Sequence, residues 1–258
     1  MEGRPDYEDR ILLFLDVLGW RELIEASIAG SPPVEWIVQA LDRAHHSANL
    51  IRDSKARGNE DPLGMEVAHF SDTIVFSCRD TPSSLPVVFD YAEHLSYDFL
   101  AGGALGLGRK LKPRGLLSRG AIVKEKLYHR GNVLIGPALV EAYTMESSLA
   151  VYPRILISNN LLALLNKCED HKHWMRRDSD GLHFVDTLSP ELISTKGPGH
   201  LEFAALWLGK VRESVEGGLQ ENATGPRKRM KWMWFGKYFN DIVVEFPQLG
   251  IVPLFLDF

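Results

Sequence analysis

The chain has 258 residues and a formal net charge of −5, with 45% hydrophobic and 24% charged residues. This is the composition of a globular protein with a substantial core, and it excludes a general nucleic-acid binder, whose surface would be basic. Two cysteines far apart in sequence, a polar start and no apolar run of the ~18 residues that span a membrane predict a cytoplasmic protein.

The first third of the chain predicts one strand, two helices and then a hairpin. Residues 11–15, ILLFL, form a continuous apolar run, which is typical of a buried strand. Apolar residues at helical spacing follow over 18–29, and a longer amphipathic helix over 32–58 begins with two prolines. The segments MEVAHF and TIVFSC predict two strands, and only SD separates them, which is hairpin spacing.

The rest of the chain alternates helices and strands and then ends in helices. A helix over SLPVVFDYAEHLSYDFLAGG precedes the strand GLLSRGAIV, and a short strand leads into the helix of VLIGPALVEAYTMESSLA. RILIS, NNLLALLNKC and GLHFVDTL predict strand, helix and strand, and two helices follow, over about 201–216 and near MKWMWFGKYFNDIVVEF. A strand, a helical crossover and a hairpin open a ferredoxin-like βαββαβ sheet. The predicted fold class is therefore α+β, an α/β sandwich with additional C-terminal helices.

Two aspartates lie where this topology brings strand ends together. Asp16 ends the first strand, and Asp72 lies in the turn between the next two. Two close carboxylates repel and need a cation or a shared proton, and Mg²⁺ or Mn²⁺ accepts such oxygen ligands together with substrate phosphates. Two such ions clamp an attacking hydroxyl and a polyphosphate leaving group, and the free N–H groups of the helix opened by VLGW favour a phosphate.

Each aspartate, taken singly, has a plainer interpretation. Asp16 is also suited to capping the helix that begins at Leu18, and aspartate is common in turns such as that of Asp72. The joint presence of FLDVLG and HFSDTIVFS, in this order and at this separation, favours the metal site.

Several segments, in chain order, resemble class III nucleotidyl cyclases over about residues 8–165. FLDVLGW and HFSDTIVFS resemble the two metal-binding motifs, SRGAIV the strand with a phosphate-contacting arginine, and GPALVEAYTMES with YPRILIS the dimer-interface helix and next strand. An asparagine and an arginine of that helix are Val140 and Thr144 here, and the purine-selecting positions are Ala68 and Val133. With these changes the chain most resembles the pyrimidine cyclases of bacterial Pycsar anti-phage systems.

The resemblance implies an enzyme that converts UTP, or less favourably CTP, to the 3′,5′-cyclic monophosphate and pyrophosphate. It implies a class III cyclase core, with residues 1–190 as the catalytic domain and 191–258 as a helical extension packed on it. It further implies two Mn²⁺ or Mg²⁺ ions per active site and a homodimer with composite active sites. The product would be a second messenger sensed by a separate effector in antiviral defence, and neither nucleic acid nor membrane is an expected partner.

The resemblance also assigns the site residues. The catalytic set is Asp16, Asp72 and Arg119, and the metal ligands are Asp16, Asp72 and the carbonyl of Val17. The nucleotide- and phosphate-binding residues are Phe14, Val17, Leu18, Gly19, Trp20 and Ser71. Arg154 and Lys124 are candidates to replace the missing helix arginine, and Tyr143 and Glu146 are either subunit contacts or groups that reach the base.

Other interpretations remain open. An adenylyl or guanylyl cyclase is the alternative within the family, and a catalytically degenerate nucleotide-binding or interaction module is the alternative of another class. Val140 and Thr144 favour the degenerate module, whereas the paired aspartates favour the enzyme. The glycine-rich segment 102–110 spaces two glycines like a phosphate loop but has Arg109 and Lys110 where lysine and a hydroxyl residue belong, which indicates a connector.

Overall fold

A computed structural model describes residues 6–55, 61–101, 115–167, 173–193 and 200–256. The glycine-rich segment 102–110 and Cys168 lie outside the described residues. The strands are β1 (Glu8–Val17), β2 (Glu66–Phe70), β3 (Thr73–Arg79), β4 (Ser118–Arg130), β5 (Val133–Ile135), β6 (Ile155–Ile157), β7 (Met175–Arg177) and β8 (His183–Val185). The helices are α1 (Trp20–Ile28), α2 (Val34–Lys55), α3 (Ser84–Ala101), α4 (Pro137–Ser148), α5 (Asn159–Leu165), α6 (Pro190–Ile193), α7 (His200–Glu221) and α8 (Pro226–Glu245).

The described strands form one sheet in the order β2-β3-β1-β4-β6-β8-β7, and β5 pairs with β4 beside this row. Strand β1 is antiparallel to both of its neighbours, β3 and β4. The first four strands and their helices thus have the βαββαβ connectivity and the strand order of a ferredoxin-like sheet. The predicted α+β class is confirmed, and α7 and α8 are the additional C-terminal helices.

The continuous apolar run of β1 is explained by burial on both faces of the sheet. Ile11, Leu13 and Leu15 pack into a core with α2 and α3. Leu12 and Phe14 face the other side and share a second core with residues of α4, α7 and α8. A strand covered on both sides has no solvated face, so its sequence does not alternate. Packing on both faces therefore holds the end of β1, where Asp16 lies, in place within the sheet.

The elements that differ from the sequence prediction include β4, β7 and the four-residue helix α6, which was not predicted. Strand β4 runs beyond GLLSRGAIV to Arg130 and turns at Gly131 into β5. Strand β7 was not predicted, because its three residues, MRR, carry no apolar pattern and the strand forms through pairing with β8 at the sheet edge. No helix in the described part of the chain combines the length and apolar character that a membrane crossing requires.

Candidate active site

The sheet brings both predicted aspartates to one end of β1. Asp16 pairs in register with Thr73 of β3 on one side and with Arg119 of β4 on the other. Asp72 lies in the two-residue turn between β2 and β3, and its carbonyl accepts a hydrogen bond of 3.0 Å from the N–H of Val17. Ser71, the other turn residue, has a φ of 56°, the left-handed conformation that closes so short a turn. A backbone hydrogen bond thus joins the end of β1, which carries Asp16, to the turn that carries Asp72.

Arg119 connects Asp16 with a third carboxylate. Its Nε donates to Oδ2 of Asp16 at 3.2 Å, and a terminal nitrogen lies 2.6 Å from Oε1 of Glu146 on α4. The same guanidinium also donates to the carbonyl of Ala150 at 3.3 Å. The Glu146 side chain is only 6% exposed, so this ion pair is largely shielded from water. A planar guanidinium with several donors is suited to holding two carboxylates at once.

Lys231 of α8 completes the group, which we call the charge cluster: Asp16, Asp72, Glu146, Arg119 and Lys231. Burial raises the pKa of Asp16, the Asp72 carboxylate raises it further, and Arg119 and Lys231 act in the opposite direction. Burial also raises the pKa of Glu146, with the same carboxylates and cations acting on it. Further positive charge near Asp16 would favour its ionised form.

The segment between β1 and α1 has the backbone expected of a phosphate-binding turn. Gly19 has a φ of 87° and directly precedes α1, whose first N–H groups have no acceptor within the helix. Leu18 is half-buried and donates its N–H to the carbonyl of Leu117 at 2.8 Å. The side chains of Val17 and Trp20 lie in the core, so a ligand contact by either residue is restricted to backbone atoms.

Phe14 and Tyr143 mark the wall of the site toward α4. The Phe14 side chain is buried beneath α4, and its ring meets that of Tyr143 edge to face at 6.1 Å. Tyr143 is more than half exposed. The buried ring of Phe14 therefore packs against Tyr143 and presents little surface to a ligand.

The donor set decides which metal the site suits. No group of three or more histidine, cysteine, aspartate or glutamate side chains in the described ranges is arranged to hold an ion. Asp16 and Asp72 form a smaller set, in which burial and then repulsion by Asp72 raise the pKa of Asp16. Mg²⁺ and Mn²⁺ sites commonly use one or two carboxylates, with water and substrate phosphates completing the shell. The residues therefore fit an ion that is held jointly with a phosphorylated ligand.

Neither helix position that departs from the cyclase pattern carries a charge. Val140 is 65% exposed on α4. Thr144 is also exposed, and its hydroxyl donates to the Val140 carbonyl at 2.7 Å within the same helix. The two positions therefore face solvent from α4 without a group that stabilises a phosphate.

The two candidate replacements for the missing arginine belong to other ion pairs. The buried guanidinium of Arg154 is held by Asp178 and Asp180. Lys124 pairs with Asp80 at 2.6 Å, five residues beyond Arg119 on β4. The cations that act on Asp16 and Glu146 are Arg119 and Lys231, so the sequence-based assignment of Arg154 or Lys124 to the site is not supported in the described part of the chain.

The two positions that the cyclase resemblance assigns to purine selection are apolar, and β5, which carries Val133, pairs with the end of β4 remote from Asp16. Ala68 pairs with Val75, which in turn pairs with Phe14, so these three residues share the face of the sheet that carries Asp16. Val133 is 55% exposed on β5. Neither Ala68 nor Val133 has a side-chain donor or acceptor for the edge of a base.

Sequence reasoning did not assign Glu146 and Lys231 to the site. Glu146 was noted as a subunit contact or a base-reading group, and its spacing from Tyr143 gave no sign of the ion pair with Arg119. Lys231 belongs to the basic run GPRKRMK, which by composition alone is a solvated charge run. Only the packing of α8 onto the sheet brings Lys231 toward Asp16.

Comparisons with known proteins gave matches among solved structures alone: no protein-family model and no curated protein sequence matches the chain. The guanylyl cyclase domain of the RhoGC fusion protein of the aquatic fungus Blastocladiella emersonii is 13% identical, with 69% of this chain and 95% of that chain covered and a TM-score of 0.44. The guanylyl cyclase Cya2 is 15% identical, with 70% and 92% covered and a TM-score of 0.41. A bacterial light-regulated adenylyl cyclase is 16% identical, with 81% and 59% covered and a TM-score of 0.41.

Proposed function

We propose that this protein is a metal-dependent nucleotidyl cyclase that acts on a pyrimidine nucleoside triphosphate, UTP in preference to CTP. The observation that carries the proposal is the end of β1, where Asp16 lies between the Asp72 turn and Arg119. Two mutually repelling carboxylates beside an arginine are suited to a divalent ion and a phosphate chain. The ordered resemblance of FLDVLGW, HFSDTIVFS and SRGAIV to cyclase motifs supports the same assignment.

In this proposal residues 1–190 are the catalytic domain and 191–258 are its helical extension. Asp16, Asp72 and the Val17 carbonyl hold two Mn²⁺ or Mg²⁺ ions, which neutralise phosphate charge when bound. Arg119 binds phosphate oxygens, and Gly19 and Trp20 at the start of α1 offer backbone N–H groups to the phosphate chain, to which Leu18 lies adjacent.

The substrate itself supplies the nucleophile of the reaction. Its 3′-hydroxyl oxygen forms a bond to the α-phosphorus, the bond to the bridging oxygen breaks with its electron pair leaving on pyrophosphate, and the hydroxyl proton passes to water. The residues of the site act mainly by positioning the phosphate chain and by stabilising its charge.

The pyrimidine preference rests on the sequence resemblance, in which Ala68 and Val133 replace the polar purine-selecting residues. A purine-specific site needs polar groups at the base edge, and these two positions offer none. An adenylyl or guanylyl cyclase is the second candidate within the class. A nucleotide-binding module without chemistry is the candidate of another class, and Val140 and Thr144 favour it. The proposed enzyme is cytoplasmic, and its cyclic product acts on a separate effector in antiviral defence.

The test is to incubate the purified protein with Mn²⁺ or Mg²⁺ and each of the four radiolabelled nucleoside triphosphates, and then to resolve the products. We expect cyclic UMP or cyclic CMP. Faster turnover of ATP or GTP would contradict the pyrimidine assignment, and folded dimeric protein with no cyclic product from any nucleotide would favour the module.

Substitution of the two aspartates tests the metal assignment. Asp16→Asn and Asp72→Asn should each lower turnover by at least about a hundredfold without unfolding the protein, because each removes a metal ligand. Asp9→Asn is the matched control, since Asp9 lies at the opposite end of β1 and pairs with Lys126 at the surface. Near-normal turnover in either site variant would show that the two-metal assignment is wrong.

A further inference from the structure

Lys231 is held at the edge of the candidate site by the packing of the two C-terminal helices. Its neighbour Trp232 is buried against Gly218 of α7, where a Cβ atom would lie only 2.3 Å from the indole ring. This close approach fixes α8 against α7. Because Trp232 is anchored in the core, the preceding Lys231 has a defined position and is itself half-buried.

The charges around Lys231 come from the site and from α1. Burial and the positive charge of Arg119 lower the pKa of Lys231, and Asp16, Glu146 and Glu22 act in the opposite direction. Lys228, one helical turn earlier, pairs with Glu22 at 2.6 Å. The two lysines therefore lie on one side of α8, facing α1 and the end of β1.

A pocket of about 200 Å³ separates the two lysines from the start of α1. Leu18, Gly19 and Glu22 line one side of it, and Lys228 and Lys231 line the other. We call it the α1–α8 pocket. It adjoins the charge cluster through Lys231, whereas Asp16 and Arg119 lie outside its lining.

We propose that Lys231, together with Lys228, binds the β- and γ-phosphates of the substrate in the α1–α8 pocket and retains pyrophosphate after bond cleavage. This rests on the proposed cyclase function and adds to it a phosphate-binding role for the C-terminal helix. Compact ammonium groups bind phosphate as point charges, and Gly19, which directly precedes α1, lines the same pocket. Lys231 would then stabilise the negative charge that develops on the leaving pyrophosphate.

The test measures binding of inorganic tripolyphosphate by calorimetry at saturating Mg²⁺, without turnover. We expect Lys231→Met to weaken binding about tenfold or more, since a hydrogen bond to a charged group is lost, and Lys228→Met to weaken it less because Lys228 is more exposed. Lys231→Arg should restore most of the affinity. Lys237→Met is the matched control on the same helix, because Lys237 is exposed and pairs with Asp241.

Turnover of the same variants separates this inference from the proposed function. An increase in the KM for the nucleotide and weaker inhibition by pyrophosphate in Lys231→Met support the phosphate role, which a lysine that only balances buried charge would not produce. Wild-type affinity for tripolyphosphate in folded Lys231→Met, or no binding by the wild-type protein, overturns the inference even if cyclic nucleotide is formed. If tripolyphosphate binding depends on Lys231 but no cyclic product is formed, the phosphate site is supported and the proposed cyclase function is wrong.

Discussion

Arg119 is the residue on which the buried charges of the site depend. It contacts Asp16 at 3.2 Å and Glu146 at 2.6 Å, and the Glu146 side chain is 6% exposed. Removal of one member of a buried ion pair leaves the other charge uncompensated, which costs more than the pair itself contributes. The stability of this end of the sheet is therefore coupled to residues that the proposed function places in the active site.

A double-mutant cycle on Arg119 and Glu146 measures that coupling. Arg119→Gln and Glu146→Gln should each lower the free energy of unfolding, and the double variant should be more stable than the sum of the two losses predicts. We expect a coupling energy of about 1–3 kcal/mol from urea unfolding. The exposed pair of Lys237 and Asp241 is the control, with a coupling of about 0.3–0.5 kcal/mol. Additive losses at Arg119 and Glu146 would contradict the ion pair.

The candidate site was only partly predictable at the scale of residues. Asp16 and Asp72 were found because local patterns place one at a strand end and the other in a two-residue turn. Glu146 and Lys231 come from α4 and α8, and their distance from Arg119 depends on how those helices pack on the sheet. Periodicity along a helix indicates which residues share a face but not which distant strand that face meets.

At the scale of elements, a buried polar network joins the three central strands away from the site. Arg10 of β1 is fully buried, and its Nε donates to Oγ of Ser77 on β3 at 3.0 Å. The same hydroxyl lies 2.8 Å from Nδ1 of His129 on β4. Burial and the nearby Arg10 charge lower the pKa of His129 to about 4. The fold therefore requires a neutral imidazole at this position.

This requirement predicts a loss of stability in acid. A histidine in the unfolded chain takes up its proton near pH 6.5, and His129 in the folded chain does so only near pH 4. Between these values the unfolded state binds more protons, so the contribution of His129 is fully present above about pH 6.5 and declines by about 3 kcal/mol toward pH 4. Urea unfolding of the wild type and of His129→Gln should therefore show a stability difference that shrinks as the pH falls. A difference that is constant from pH 7.5 to pH 4.5 would contradict a neutral buried His129.

The sequence predicts correctly those elements whose apolar pattern is clear, and it misses those whose pattern is weak. The ten residues of β1 and the hairpin of β2 and β3 have clear apolar runs and a short turn, and the βαββαβ order follows from them. The three-residue strand β7 has no such pattern and exists through its partner β8. Short edge strands of this kind are fixed by tertiary pairing and not by their own sequence.

At the scale of the whole molecule, three helices cover the face of the sheet that carries Asp16, and one of them, α4, leaves apolar side chains exposed. Helices α7 and α8 contribute buried residues to the core on this face, and α8 packs against β8. Helix α4 packs on the same face through Ala138 and Ala142, but its outer surface leaves Val140 and Tyr143 exposed. Exposed apolar side chains clustered on one helix are typical of an interaction surface. This is the surface that the predicted homodimer, through residues 137–149, would bury.

The homodimer prediction is tested by placing a charge on that surface. Val140→Arg should convert the dimer to monomers in sedimentation, since a twofold interface contains the substituted residue twice and buries both charges. If the active site is composite, turnover should fall about tenfold or more together with dimerisation and should recover as protein concentration is raised. Val244→Arg is the matched control, because Val244 is exposed to a similar extent on α8. A wild-type protein that is strictly monomeric and fully active, or a monomeric Val140→Arg variant with undiminished turnover, would show that one chain contains the complete site.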